Sequence, residues 1–176
     1  MSYNQNFVEL NKKVHDRVSF DCGEESLNSF IKTQALRHKK AGVSKTMVLP
    51  AHQPLENRKY PIVSFYTVAP SAIKRNSLPI KLAKKLPQYP IPVFLLAQLA
   101  VHQKYQKQGL GKVTLINALN FLWKINTHIS AYAIIVDCLN KNVEDFYAKY
   151  GFQILYSQKD TTRMFIPMKT IEKLFK

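Results

Sequence analysis

The residues best suited to chemistry lie between positions 93 and 125, where an apolar run gives way to two closely spaced glycines. The run from Val93 to Val101 predicts a buried strand, and the segment from Leu110 to Ile125 predicts a helix. Gly109 and Gly111 stand at the turn between them, and glycine lets a backbone approach a ligand because it has no Cβ. The free N–H groups of a helix's first turn carry partial positive charge. This order of elements predicts a site for an anion such as a phosphate.

The spacing Gln106-x-x-Gly109-x-Gly111 resembles a signature of the GNAT superfamily of acyl-CoA N-acyltransferases, whose loop holds the pyrophosphate of coenzyme A. Without a ligand, the same spacing suits a tight turn at the start of a helix. The resemblance implies that the phosphates contact Gln106, Lys107, Gln108, Gly109, Leu110, Gly111 and Lys112.

A second segment, after Asn140, contains an acid suited to thioester chemistry. Val143, Phe146, Tyr147 and Tyr150 recur at i, i+3, i+4 and i+7, which predicts one face of a helix. A tyrosine with a pKa near ~10 can donate a hydrogen bond and then a proton to a leaving thiolate, whose thiol titrates near ~8.5. The alternative is that Tyr147 is a core aromatic, a role that Tyr150 fits equally well.

The pattern Asn140-x-x-x-x-x-Phe146-Tyr147-x-x-x-Gly151-Phe152 resembles the GNAT motif whose tyrosine lies beside the cofactor sulfur. In that family the sheet splays between the strand ending at Leu99-Ala100-Val101 and the next strand, predicted here at Ile129 to Leu139. The pantetheine arm of the cofactor pairs with the first of these strands. The resemblance therefore implies Tyr147 as the catalytic acid and, as further contacts of acetyl-CoA, Leu99, Ala100, Val101 and Asn140.

A narrower resemblance spans nearly the whole chain, which is similar to the TacT/AtaT-like GNAT toxins of bacterial type II toxin–antitoxin modules. Three positions depart from that family's usual pattern: Ala97-Gln98 stands where Gly-Arg is frequent, His102 where an acid is frequent, and Ser64 where a glycine is usual. The motifs that carry the resemblance are Phe20-Asp21-Cys22-Gly23-Glu24-Glu25-x-Leu27-Asn28-x-Phe30, Phe65-Tyr66-Thr67, Pro90-Ile91-Pro92, Leu99-Ala100-Val101, Gln106-x-Gln108-Gly109-Leu110-Gly111, Phe146-Tyr147 and Met168-Lys169-Thr170-Ile171.

The toxin resemblance implies a reaction and a set of partners. The reaction is transfer of an acetyl group from acetyl-CoA to the α-amino group of aminoacyl-tRNA, which inhibits translation. Such an amine has a pKa no higher than ~8, so much of it is uncharged near neutral pH and no strong base is needed. The implied partners are aminoacyl-tRNA, a ribbon-helix-helix antitoxin, operator DNA only through that antitoxin, and a second copy of the chain in a homodimer.

The toxin resemblance also implies a GNAT fold of the α/β (α+β) class in a single domain, residues 1–176. We expect a central mixed, mostly antiparallel sheet of about six to seven strands, splayed in the middle, with helices on both faces. Asp21 is expected to cap a first helix, and Ser71 to Leu86 is expected to form another. The remaining strands are expected around Phe7 to Leu10, Val43 to Leu49, Ile62 to Ala69, Phe152 to Tyr156 and Arg163 to Pro167, and a closing helix at Thr170 to Lys176.

The charge balance favours a polyanionic partner, because 26 lysines and arginines against 11 acidic residues leave a net charge of +15. Basic residues also end helices and line solvated helix faces for reasons unrelated to binding. The candidates for contact with tRNA are Arg37, Lys39, Lys40, Lys74, Arg75, Lys81, Lys84 and Lys85.

Several classes of protein are disfavoured by the sequence. The longest apolar run is too short to cross a bilayer and the N-terminus lacks a signal core, so a cytoplasmic location without membrane contact is expected. Cys22 and Cys138 have no metal-ligand spacing, so reduced thiols and no metal are expected. Two alternative functions stay open: acetylation of another amine, on a polyamine, peptide or protein lysine, and a catalytically silent, basic nucleic-acid-binding module.

Overall fold

The computed structural model describes residues 3–4 and 6–176, and this part of the chain contains eight strands and six α-helices. The strands are β1 (Val8–Glu9), β2 (His15–Asp16), β3 (Lys45–Pro50), β4 (Tyr60–Ile73), β5 (Ile91–Val101), β6 (Ala133–Cys138), β7 (Gln153–Gln158) and β8 (Thr161–Pro167). The helices are α1 (Glu25–Ser29), α2 (Ala35–Ala41), α3 (Ile80–Ala83), α4 (Leu110–Asn126), α5 (Lys141–Lys149) and α6 (Met168–Phe175). A π turn, Phe30–Gln34, lies between α1 and α2, and 3-10 turns precede α3 and α4 at Arg75–Ser77 and Gln103–Tyr105.

Most neighbouring strands run antiparallel. The antiparallel pairs include β1 with β3, β3 with β4, β6 with β8, and β7 with β8, whereas β5 with β6 and β2 with β4 are parallel. The prediction of a mixed, mostly antiparallel sheet with helices is therefore confirmed. The described strands number eight rather than the expected six to seven, because the sequence pattern gives no signal for the two-residue β2.

The chain forms two compact units, and the first contains the residues up to Ala69 together with Gln98–Ala118. Its strand order is β1-β3-β4, with the end of β5 beside β4. Apolar side chains from β3, β4, β5 and the first two helices bury one another, which removes their surface from water. This buried cluster consists of Leu10, Phe20, Phe30, Ile31, Ala35, Val48, Ile62, Phe65 and Ala100.

The first helical region is continuous but not uniform. The π turn between α1 and α2 inserts one residue into the helix register. Phe30 and Ile31 in that turn and Ala35 just after it are all buried. The region ends at Gly42, whose left-handed backbone (φ 72°, ψ 21°) closes the helix.

The second unit contains Pro70–Ala97 and Leu119–Lys176, with the strand order β5-β6-β8-β7. Strand β6 pairs with β5 at Phe94↔Ile134 and Leu95↔Ile135, and β5 then runs on to Val101. On its other side, β6 pairs with β8 along its whole length. The predicted terminal hairpin and closing helix are confirmed as β7, β8 and α6.

The expected helix from Ser71 to Leu86 is wrong over most of its length. Strand β4 continues to Ile73, and only Ile80–Ala83 is α-helical. The reason is a period of two at the end of β4, where Ile73 is buried and its neighbours Ala72 and Lys74 are exposed. In this segment, burial of one face of the strand therefore outweighs a weak helix propensity.

The predicted strand from Ile129 to Leu139 is shorter than expected, because β6 covers only Ala133–Cys138. Ile129 and Leu139 are both mostly exposed, with 65% and 63% of their surface accessible. Apolar character alone therefore overestimated the strand by several residues at its start. No helix of the described residues is both long and apolar enough to cross a bilayer.

Candidate functional site

The loop between β5 and α4 presents backbone N–H groups that have no acceptor. None of the hydrogen bonds among the described residues uses the N–H groups of residues 107–112. Lys107 (φ 60°) and Gly109 (φ 79°) have left-handed backbones, and such turns direct successive N–H groups to one concave side. The first turn of α4, which begins at Leu110, adds its own free N–H groups and its dipole. These N–H groups are free to donate to an anion, which is what the predicted site requires.

Gln106 differs from the rest of that loop, because its polar groups are occupied by the protein itself. Its backbone N–H donates to Gln103 O at 3.2 Å. Its side-chain Nε2 donates to Cys22 O at 2.8 Å and to Val101 O at 2.9 Å. Gln106 therefore ties the loop to the end of β5 and to residue 22, and the free N–H groups begin at Lys107.

Asp21 organises the segment that Gln106 reaches, but it does not cap α1 as predicted. Helix α1 begins after Glu24, whose side chain makes no cap hydrogen bond. Asp21 Oδ1 instead accepts from Gly23 N at 2.9 Å and from Asn28 Nδ2 at 2.8 Å. These bonds lower the pKa of the Asp21 carboxyl, and the bond from Gly23 has the largest effect. The backbone of Asp21 also accepts from Gln103 N at 2.8 Å.

Two side-chain contacts, one of them fully buried, attach the start of α4 to β4. The Thr114 hydroxyl donates to Leu110 O at 2.7 Å and lies 2.9 Å from Ser64 Oγ. One turn further along, the Tyr66 hydroxyl donates to Asn117 Oδ1 at 2.9 Å. Ser64 therefore helps to fix the helix that presents the N–H groups.

Tyr147 lies in α5 and is almost fully buried, with 6% of its surface exposed. Its ring packs edge-on against Phe146 and Phe152, each with a centroid distance of 5.2 Å. Its hydroxyl makes no hydrogen bond within the described residues. The side-chain atoms there that are both unpaired and fully buried are Ser44 Oγ and Gln98 Oε1, so the Tyr147 hydroxyl keeps access to solvent.

The surroundings of Tyr147 keep its phenol protonated. Burial raises the pKa of Tyr147 well above its usual value, and the neighbouring Cys138 raises it further. Burial also raises the pKa of the Cys138 thiol, to about 11, so this thiol is neutral near pH 7. Tyr150, the alternative aromatic, ends the helix as its C-cap and is less buried than Tyr147.

Asn140 begins α5 as its N-cap. Its Oδ1 accepts from Val143 N at 3.0 Å, which satisfies one of the free N–H groups at the start of the helix. One hydrogen bond therefore engages the side-chain oxygen, whereas the amide NH₂ group donates to no described residue.

The predicted tRNA-binding residues differ in how far the protein already uses them. Lys39 pairs with Glu9 at 2.9 Å, and Arg75 donates to Leu86 O at 3.0 Å. The other six are exposed and form no ion pair within the described residues; they are Arg37, Lys40, Lys74, Lys81, Lys84 and Lys85. In the same part of the chain, no group of three or more His, Cys, Asp or Glu side chains is placed to hold a metal ion.

The sequence patterns did not reveal the contacts of Gln103 and Gln106. Each side chain has a partner that lies 82 or 84 positions away along the chain, which a local pattern cannot assign.

Known proteins are similar to this chain over most of its length. Residues 80–154 match the family model described as an acetyltransferase (GNAT) domain. The chain is 30% identical over 159 residues to a tRNA-acetylating toxin of Mycobacterium tuberculosis, with 90% of each chain covered.

Two solved structures extend the comparison. AtaT complexed with acetyl-methionyl-tRNAfMet has a TM-score of 0.85 and 30% identity, covering 97% of this chain and 99% of that one. A tyrosine-to-phenylalanine mutant of AtaT, bound to the C-terminus of the antitoxin AtaR, has a TM-score of 0.80 and 25% identity, covering 97% of both chains.

The bridge formed by Gln106 gives a prediction about stability. We expect Gln106→Leu to lower the free energy of unfolding by about 1–2 kcal/mol, because the carbonyls of Cys22 and Val101 lose their donor. The matched control is Gln108→Leu, which removes one exposed 3.3 Å bond and should change stability by no more than ~0.5 kcal/mol. Urea denaturation of the three proteins measures both values. Equal stabilities for the two variants would contradict the bridging role.

Proposed function

This chain belongs to the GNAT acetyltransferases and, among them, to the tRNA-acetylating toxins, and from this premise we propose that it acetylates the α-amino group of aminoacyl-tRNA and so inhibits translation. Acetyl-CoA is the acetyl donor. We further propose that residues 1–176 act as one GNAT N-acetyltransferase domain. The observation that supports the proposal most directly is the row of unpaired N–H groups at residues 107–112.

We assign those N–H groups to the pyrophosphate of acetyl-CoA. A diphosphate supplies the acceptors that the loop lacks, and its negative charge suits the start of α4. Lys107 and Lys112 are exposed and in no ion pair within the part of the chain described, so both are available to the same phosphates. Leu99 and Val101 would bind the pantetheine arm through backbone groups, with the Val101 carbonyl excepted because Gln106 occupies it.

Tyr147 is assigned as the acid. Acetyl-CoA supplies an activated thioester, whose carbonyl carbon bonds to the amine nitrogen as the carbon–sulfur bond breaks. The Tyr147 phenol donates a hydrogen bond to the developing thiolate and then its proton. The acylated nitrogen releases one proton to solvent, and the phenol regains one from solvent, so the protons balance. Its raised pKa ensures that the proton is present at neutral pH. The amine needs no strong base, because an aminoacyl ester's amine has a pKa of at most ~8 and a sizeable fraction of it is therefore uncharged near neutral pH.

The charge of the chain suits a tRNA acceptor. A net charge of +15 provides phosphate contacts that contribute affinity with little sequence discrimination. An acceptor such as a polyamine would require acidic groups to hold it, and the chain has only 11 acidic residues. The proposal also includes the partners and the location. The partners are a ribbon-helix-helix antitoxin, operator DNA bound through that antitoxin, and a second copy of the chain in a homodimer. The location is the cytoplasm, where charged tRNA is found.

The decisive experiment follows the acetyl group. With labelled acetyl-CoA and a pool of charged tRNA, we expect the protein to label the amino acid of one or more aminoacyl esters. Tyr147→Phe should reduce the rate by ~10²–10⁴-fold because the leaving thiolate loses its proton donor. Tyr150→Phe is the matched control and should keep the parental rate. Acetylation of charged tRNA by Tyr147→Phe at the parental rate would exclude the assigned acid.

A pair of glycines tests the phosphate assignment. Gly109 and Gly42 both have left-handed backbones, with φ of 79° and 72°, and an added Cβ at either meets nothing within 4 Å. Each change to alanine should therefore cost about 1 kcal/mol of stability through backbone strain alone. Only Gly109→Ala should weaken acetyl-CoA binding, by ~10-fold or more, because its Cβ occupies the space of the phosphate. Titration calorimetry measures the affinity, and equal affinities would refute the assignment, whereas no binding even by the parent would favour the silent nucleic-acid-binding module.

The pKa of Tyr147 predicts the shape of the pH profile. The rate should rise as the amine loses its proton, up to about pH 8, and then stay level to about pH 9.5. A falling limb in that range is not expected, because the raised pKa keeps the phenol protonated there. Initial rates, corrected for spontaneous hydrolysis of the ester, give this profile. A fall between pH 8 and 9.5 would indicate a different acid.

A further inference from the structure

A groove of about 340 Å³ opens within the second unit, between the end of β4 and the hairpin of β7 and β8. None of the described residues that line this groove is acidic. Its lining consists of two apolar residues, two cations and three further polar residues, namely Ala72, Ile73, Lys74, Arg163, Ser77, Tyr156 and Gln158. The groove therefore offers positive charge and hydrogen-bond donors without a carboxylate, which suits an anionic ligand.

Arg163 is held in a fixed orientation beside this groove. Its Nε and Nη2 each donate to one oxygen of Asp137 at 2.7 Å, and such a two-point pair sets the plane of the guanidinium group. The central carbon of that group lies 5.8 Å from the centroid of the Tyr156 ring. The third nitrogen, Nη1, donates to no described residue. Arg163 therefore keeps a free donor whose position the protein has already fixed.

Lys74 supplies the second cation of the groove. It directly follows β4, its side chain is exposed, and it forms no ion pair in the described part of the chain. Its backbone is held in place, because its carbonyl accepts from Ser77 N at 3.0 Å and from Ser77 Oγ at 2.6 Å. A phosphate in the groove would give acceptors to both the Lys74 ammonium and Nη1 of Arg163.

The groove lies at the level of Tyr147 but on the other face of the sheet. Arg163 stands opposite Asp137 in the ladder of β8 and β6, and the next pair along is Thr162 with Cys138. Side chains alternate along a strand, so Thr162 and Cys138 face away from the groove. Cys138 is the neighbour of Tyr147. One step along the strands therefore separates the groove from the assigned acid.

We propose that this groove binds a nucleotide of the single-stranded 3′ end of aminoacyl-tRNA, an inference that rests on the proposed function and names the part of that substrate held by the second unit. Lys74 and Nη1 of Arg163 bind a phosphate, and the base stacks on the flat surface of Arg163 and Tyr156. Such stacking accepts any base, because every base has a π face.

The groove also suits the delivery of the amine. The amino acid is esterified to the last nucleotide, so a site that holds this end of the tRNA also positions the amine. Strand β6 pairs with β5 at Ile134 and Ile135, and from Val136 to Cys138 its described ladder partner is β8. The ladder therefore does not close the sheet beside β6 at the level of Tyr147, and the amine reaches the acid from the face of the groove.

The size of the groove favours an unpaired nucleotide over a duplex. Its volume lies within the range of roughly 300–1,000 Å³ that is typical of sites for small ligands. A duplex, by contrast, is contacted across a wide and shallow surface, and its bases are already stacked on both faces. The exposed lysines outside the groove, Lys81, Lys84 and Lys85, remain available for phosphates of the duplex.

Two pairs of variants and one single change test the inference. Lys74→Ala is matched by Lys173→Ala, which removes an exposed lysine of α6 outside the groove. Tyr156→Leu removes the aromatic surface, whereas Tyr156→Phe keeps it and should behave as the parent. Arg163→Lys keeps the positive charge opposite Asp137 but removes the planar group and Nη1. Urea denaturation confirms that each variant is folded.

The first readout is binding of one uncharged tRNA with and without its single-stranded 3′ end, at one salt concentration. The parent, Lys173→Ala and Tyr156→Phe should bind the intact tRNA ~10-fold more tightly than the truncated one. In Lys74→Ala, Arg163→Lys and Tyr156→Leu, this preference should fall to ~3-fold or less, with the affinity for truncated tRNA unchanged.

Three results of this binding experiment would overturn the inference. The first is a parent that binds both tRNAs equally. The second is a full preference retained by Arg163→Lys or by Lys74→Ala. The third is an equal loss of affinity for both tRNAs in these two variants, because a general phosphate contact does not distinguish the 3′ end.

The second readout separates this inference from the proposed function. With labelled acetyl-CoA, kcat/KM for charged tRNA should fall ~10-fold or more in Arg163→Lys, while calorimetry should give the parental affinity for acetyl-CoA. If the parent labels charged tRNA and Arg163→Lys keeps the parental kcat/KM, the inference is wrong and the proposed function stands. If the parent labels no charged tRNA, the proposed function fails, and the binding of intact and truncated tRNA still decides whether the groove holds the 3′ end.

Discussion

This structure depends on one constraint: exposed backbone N–H groups need hydrogen-bond acceptors. Six consecutive N–H groups, at residues 107–112, have no partner in the described part of the chain, and a stable protein leaves such groups only where water or a ligand can reach them. The side chains around them act to keep them in place. Gln106 ties down the start of the loop, and Thr114 holds the first turn of α4 against Ser64. This arrangement supports the proposed phosphate site, because an anion brings the acceptors that the protein omits.

At Tyr147 the important property is burial, whereas at residues 107–112 it is exposure. Its ring is held by Phe146 and Phe152, and the same low-polarity surroundings that fix it also prevent ionisation of its phenol. A tyrosine in water would serve equally well as a proton donor near neutral pH, but it would not be fixed in orientation. The hydroxyl is thus the polar tip of an otherwise apolar side chain, and the two readings of Tyr147 from the sequence, core aromatic and acid, are compatible.

The sequence predicted those parts of the structure that depend on neighbouring residues. The strand, turn and helix around Gly109, and the helix from Asn140 to Gly151, follow from periodicity and from residues that cap or end helices. The segment from Ser71 to Leu86 was misread because burial of alternate residues in β4 overrides propensity there. The links made by Gln106 could not be foreseen, because one of its partners is 84 positions away in sequence and amide side chains carry no local signature of their partner.

The connection between Cys22 and Gln106 has a consequence for the newly made protein. A contact that closes so long a stretch of chain forms late, since the entropy lost on closure must be offset by contacts already in place. While residue 106 has not yet emerged from the ribosome, the growing chain cannot form this loop, even if its earlier helices have formed. The loop that is assigned to acetyl-CoA therefore takes its shape only after both segments have been synthesised and have met.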